Sequence, residues 1–163
     1  MRRLGATPRA VELRVCVLST SLNHEPDDLE RHIGRVTALN SFEAASLGPG
    51  DIDLAEVHDA TAVREVIQVE NFGLAPRGEG GLAALQGHTA LGGRTPVNPS
   101  GGLERKGHPV GANGLAQIFE LVTQLRGEAG PRQVAGARVA VAENGGGLWG
   151  IEEAVCVVSA LCS

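Results

Sequence analysis

Pro96-Val-Asn-Pro-Ser-Gly-Gly-Leu-Glu-Arg-Lys-Gly-His-Pro-Val-Gly-Ala-Asn-Gly114 is the stretch on which the reading of this chain turns. Five glycines and three prolines in nineteen residues disfavour a regular element and imply a tight loop with unusual backbone angles. One imidazole, His108, stands in its middle. The loop runs straight into an apolar helical pattern from Leu115 to Leu125. A histidine held by glycines and proline at the mouth of a buried helix is a candidate catalytic group.

Working outward, strands and helices alternate. Val11 to Ser19 is β-rich and reads as a strand. Asp27 or Asp28 suits a helix cap, and Leu29, Ile33, Val36 and Leu39 follow at helical spacing up to Gly48-Pro49-Gly50. Ile52 to Val57 is a short strand ending at His58-Asp59. Thr61 caps a second helix that Gly73 closes, and the glycine-rich stretch from Ala75 to Arg94 reads as an ordered loop. A short strand is expected around Val97. The helix from Leu115 to Arg126 carries an apolar arc too wide for a surface helix, so it is expected to be buried on most sides. Arg138 to Ala142 is a strand leading into Glu143-Asn-Gly-Gly-Gly147, and Glu153 to Ala160 is the last strand. This order predicts an α/β fold: a five-stranded mixed sheet covered by helices on both faces. Its last two strands are antiparallel across a glycine turn. Residues 1–9 are expected to form a loose start and 10–163 one domain.

Composition narrows the function. The chain has 163 residues, of which 42% are hydrophobic, and a formal charge of −5 with no basic run. That argues against nucleic acid as a partner. Three Phe, one Trp and no Tyr leave little for base stacking. No apolar run approaches a membrane span and no leader is recognisable, which makes a cytoplasmic protein the expectation. Cys16, Cys156 and Cys162 match no zinc spacing and no disulfide framework. Cys16 and Cys156 read as small core residues. His24, His32 and His88 have no partners at ligand spacing, so no metal site is expected and all three read as surface residues. In sheets of this kind, functional residues gather where strands end, which singles out His58-Asp59, the His108 loop and Glu143-Asn144.

These residues resemble the thiolase family. Gly107-His-Pro-Val-Gly-Ala-Asn-Gly114 is similar to the Gly-His-Pro-x-Gly-(Ala/Ser)-(Thr/Ser)-Gly loop of thiolases, and Asn98-Pro-Ser-Gly-Gly102 resembles the lead into it. Glu56-Val-His-Asp59 resembles the His-Asp-Cys-Phe motif of the sterol-carrier-protein-type branch, as does Gly78-Glu-Gly-Gly81. Glu143-Asn-Gly-Gly-Gly147 stands where the C-terminal glycine-rich catalytic loop falls. The resemblance covers about residues 10 to 160 and only the C-terminal half of a thiolase. The nucleophilic cysteine belongs to the other half.

The resemblance implies a role for each residue. His108 would activate the cysteine supplied by the N-terminal half and help bind an oxyanion. His58 would help form a second oxyanion hole, through water. The family's acid/base cysteine is absent from both of its known places. Ala60 stands in the His-Asp-Cys-Phe motif, with Thr61 in place of the phenylalanine, and Glu143 and Asn144 open the glycine loop. Glu143 is therefore a candidate base, and Asn144, Gly145 and Gly146 candidate substrate-binding residues. Asn113 replaces a small hydroxyl residue and reads as structural.

The implied substrate is an acyl-coenzyme A thioester, with no permanently bound cofactor. The implied partner is an N-terminal thiolase half or a homologous subunit. Thiolytic acyl transfer and an aldol-type reaction, the latter with a small OB-fold partner protein, both stay open. So does a non-catalytic or degenerate thiolase-like subunit.

Overall fold

Apolar strands from the two ends of the chain meet in one sheet. The computed structural model describes residues 9–21 and 23–163. The loose start expected over residues 1–9 lies, but for Arg9, outside the described residues. In chain order come β1 (Glu12–Thr20), α1 (Ile33–Ala45), β2 (Leu54–Glu56), α2 (Ala62–Asn71) and α3 (Gly80–Leu85). Then follow α4 (Gly102–Lys106), α5 (Asn113–Leu125), β3 (Val139–Gly146) and β4 (Val155–Cys162).

Among the described residues the sheet has four strands in the order β1-β4-β3-β2, not the five expected. β2 runs parallel to β3, while β4 is antiparallel to both β3 and β1. The fifth strand, expected at Val97, is reduced to a single parallel bridge with Ala55. Pro96 has no N–H to extend the ladder, and Asn98 leaves the extended region with φ of 50°. The glycine loop also departs from expectation, because it contains the five-residue helix α4. α3 lies within the stretch read as loop.

The two faces of the sheet are covered unequally. On one face Val141, Cys156, Val158 and Ala160 pack against Ile33, Ala38 and Phe42 of α1 and Val69 of α2, with Phe72 beyond it. On the other face Leu54, Ala140, Ala142 and Leu161 pack against Leu121 and Leu125 of α5. α5 therefore covers the β2–β3 side. Leu13, Cys16 and Leu18 of β1 are exposed.

The helix expected to be buried on most sides is thus buried on one. Gln117, Glu120 and Gln124 fill much of its buried stripe. Gln117 Nε2 donates to the Glu143 carbonyl (2.7 Å), and Gln124 Oε1 accepts from Val134 N (2.8 Å). The apolar arc turns outward, leaving Leu115 75% and Phe119 72% exposed.

The caps follow local chemistry. Thr61 caps α2 by accepting from Arg64 N (3.3 Å), and Gly73 ends it with φ of 70°. α1 is capped by His32 rather than Asp27 or Asp28, with its Nδ1 accepting from Gly34 N (3.1 Å). His24 and His32 are not surface residues. Glu152 reaches from the β3–β4 connection to the N-terminus of α1, where it accepts from Ile33 N (2.7 Å). There its carboxylate lies 3.3 Å from His24 Nε2 and 3.8 Å from His32 Nδ1. Among the described residues no helix is long and apolar enough to cross a membrane.

Candidate active site

Two buried carboxylates, with the half-buried Glu65 acting through Asn98, hold the His108 loop against the end of β2. Glu56 accepts from Ser100 N (3.0 Å) and from the Ser100 hydroxyl (2.6 Å). Asp59 accepts from Leu103 N (2.7 Å), at the start of α4. Asn98 accepts from Val57 N (2.8 Å) and donates to Glu65 (2.9 Å). Burial raises the carboxyl groups of Glu56 and Glu65 above the ordinary range, against these hydrogen bonds. Gly102 is required where it stands. Its φ is 61°, and a methyl group there would overlap the Asp59 carboxylate.

This anchoring brings His58 and His108 together. Their ring centroids are 4.9 Å apart at 76°, edge to face. Asn144 Oδ1 lies 3.0 Å from His58 Nδ1. That oxygen only accepts, so Nδ1 carries the proton and a neutral ring has a bare Nε2. Burial lowers the His58 pKa, outweighing the Asn144 bond, and favours the neutral form. Asn113, at the start of α5, donates to the same Asn144 oxygen (3.3 Å). Asn113 was read as structural, and it orients the amide that orients His58.

Glu143 is on the other face of β3 from Asn144, at 0% exposure. Its carboxylate accepts from His58 N (2.9 Å) and lies 3.6 Å from Cys156 Sγ. Burial pushes its pKa up to about 7 and pushes the Cys156 thiol well above its usual range. Glu143–Gly146, read as part of a loop, continues β3.

A cavity of about 1120 Å³ opens between these groups and β4. His58, His108, Asn144, Gly145 and Gly146 line it, while Glu143 is not among its walls. Leu115 and Ile118 of α5 and Val157 of β4 make it largely apolar. No cysteine is among the lining residues. Two charged residues that the sequence reading passed over, Arg64 and Glu153, also line it and form an ion pair. The available signals were Arg64 one turn inside α2 from His58, and an acidic pair at the entrance to an apolar strand. Among the described residues no group of His, Cys, Asp and Glu is placed to hold a metal ion.

A helix-covered mixed sheet with two histidines meeting at the strand ends above an apolar cavity defines a thiolase-type half-domain. The comparisons agree: the thiolase C-terminal domain-like family matches residues 17–159, and the chain belongs to that family. It is 47% identical over 150 residues to acetyl-CoA acetyltransferase of Methanothermobacter thermautotrophicus, covering 91% of this chain and 39% of the relative. It is 41% identical to sterol carrier protein 2 of Rattus norvegicus, covering 88% of this chain and 27% of the relative. Among solved structures it resembles the Ltp2-ChsH2(DUF35) aldolase, with a TM-score of 0.74, 19% identity and coverage of 91% and 39%. It also resembles the peroxisomal 3-ketoacyl-CoA thiolase of Saccharomyces cerevisiae, with a TM-score of 0.59, 17% identity and coverage of 94% and 34%. That thiolase is a five-layered α-β-α-β-α structure built from two core domains of identical topology. The chain spans less than half the length of each of these proteins.

Proposed function

We propose that this chain is the histidine-bearing half of a thiolase-fold acyltransferase that acts on an acyl-coenzyme A thioester. The observation that carries the reading is the His58–His108 pair on the wall of an apolar cavity that no cysteine of this chain lines. A neutral imidazole takes a thiol proton, and the thiolate attacks the thioester carbonyl. His108 performs that task for a cysteine delivered by a second half. His58, with Nδ1 committed to Asn144, holds a water on its bare Nε2, and that water donates to the oxyanion. Glu143 fixes the His58 backbone from behind. Asn144, Gly145 and Gly146 form the wall against which the acyl group lies.

The uneven covering of the sheet supports the need for a second half. Two three-layer domains make five layers only if they share one helical layer. α5, with Leu115 and Phe119 turned outward beside the bare Leu13 and Leu18, is the layer suited to sharing. Burying exposed apolar area of this kind is what drives such association.

A second reading, an aldol-type reaction with a small partner protein, is favoured by one observation. Ala60 and the lining residues offer no cysteine for the two-cysteine route to carbon–carbon bond formation. Co-expression with a cysteine-bearing half, followed by intact-mass analysis after acyl-coenzyme A addition, tests the main reading. A stable complex acylated on the partner cysteine is expected, with His108→Ala slowing acylation. A complex that forms and is never acylated would refute it.

A further inference from the structure

One carboxylate lines the cavity, and it is Glu153. It lies two residues before β4 and is 3% exposed. Apart from a contact between Oε1 and the Arg64 guanidinium, neither carboxylate oxygen has a hydrogen-bond partner among the described residues, although both are buried. Its partner is the Arg64 guanidinium, itself on the cavity wall. Buried carboxylates normally collect hydrogen bonds, as Glu56, Glu143 and Glu152 do here, so one left with a single ion-pair partner on a cavity wall calls for an account. Room is made for it: a Cβ at Gly145 would fall 2.7 Å from Glu153 Cγ. An ion pair that only tied the β3–β4 connection to α2 would not need to face the cavity. Glu143, by contrast, is turned away from the cavity and engaged with the His58 N–H and Cys156.

We propose that Glu153 is the catalytic base that exchanges a proton with the carbon next to the thioester carbonyl, with Arg64 as the residue that positions it. The inference rests on the acyl-coenzyme A reading above. A Glu153 oxygen takes the proton from the α-carbon. The C–H electron pair forms the enolate double bond, and the carbonyl π pair moves to oxygen. The oxyanion is met by the water on His58 Nε2, and the reverse step returns the proton. The Arg64 guanidinium holds the carboxylate at the cavity wall, and the lack of other donors leaves lone pairs free for carbon. Ala60 needs no replacement in its own place, because Glu153 of the same cavity handles the proton.

The test uses the complex of this chain with its cysteine-bearing half and acetyl-CoA as the probe. α-Deuterium uptake in D2O and acylation of the partner cysteine are followed separately. Glu153→Gln is expected to lower deuterium uptake by roughly 10²–10⁴-fold while acylation persists. Glu153→Asp keeps the charge and the Arg64 pair but withdraws the carboxylate by one methylene. It is expected to lose uptake at least about tenfold, and it decides the matter if Glu153→Gln does not fold. Arg64→Gln is expected to lower deuterium uptake while acylation persists, with Arg64→Lys restoring part of it, a split that a structural role alone would not produce. Normal uptake in Glu153→Gln or Glu153→Asp, or a wild-type complex that acylates without uptake, overturns the proposal and leaves the thioester reading standing. A wild-type complex that does neither overturns both.

Discussion

At the scale of single residues, Glu143 and His58 stand back to back on β3 and the end of β2, and burial moves each toward its neutral form. For Glu143 the folded value of about 7 lies above the ordinary carboxylate value of 4.5. Between those values the folded chain holds a proton that the unfolded chain has released. The contribution is therefore complete below the unfolded value and is lost as pH rises through the folded one, by about 1.4 kcal/mol per pH unit inside the window. Other groups titrate in the same range, and His32 and His58, both lowered, act in the opposite sense. The difference between wild type and Glu143→Gln isolates the effect. Urea melts at about pH 5 and pH 8 should show the wild type losing its advantage over the variant at the higher pH. An equal difference at both would mean that Glu143 is ionised throughout.

His108 gives the complementary prediction. It is an exposed loop side chain that makes no hydrogen bond among the described residues, and its ring meets that of His58 edge to face. In an active complex, His108→Ala should lower turnover by roughly 10²–10⁴-fold while the melting temperature is unchanged. Near-normal turnover would make the residue structural.

At the scale of elements, the positions of His58 and His108 were legible in the sequence because they hang on local signals. A glycine-proline loop, a Thr cap and a strand end each leave a mark on a few adjacent residues. Glu153 and Arg64 left only weak marks, because their meeting depends on the β3–β4 connection folding back over α2. The fifth strand failed for a readable reason, Pro96, whose missing N–H was not weighed against the apolar Val97. Glu143 was misplaced by parity: reading 143–147 as loop hid the alternation that sends Glu143 and Asn144 to opposite faces of β3.

The loop supplies its own prediction. Gly102→Ala forces a side chain at positive φ into the Asp59 carboxylate. It should cost roughly 1–3 kcal/mol by denaturant melt and lower turnover further by displacing His108. An unperturbed melt would show that the Asp59–Leu103 anchor is dispensable. α5 behaves in the opposite way. Replacing Leu115 and Phe119 together by Ser should change the stability of the chain alone by less than about 1 kcal/mol, since both are exposed. The same change should weaken association with a cysteine-bearing half, measured by co-purification. Intact association would place the interface elsewhere.

At the scale of the whole molecule, one sheet face is closed by α1 and α2, and the other is half open beside the cavity. Composition and pattern indicated an α/β domain, but the open half became visible only once β1 and β4 were placed beside each other. A hydrophobic pattern reports that a surface is to be buried and not which chain buries it. The same surface explains why two histidines, an apolar cavity and no lining cysteine occur together: the account assigns the nucleophile to the half that closes the sheet. The most direct test is thiolytic turnover of an acyl-coenzyme A by the purified chain alone, with the site of any acyl adduct mapped by mass spectrometry. The account predicts no turnover until a cysteine-bearing half is added. Robust turnover by the homogeneous chain, with the adduct on Cys16, Cys156 or Cys162, would contradict it.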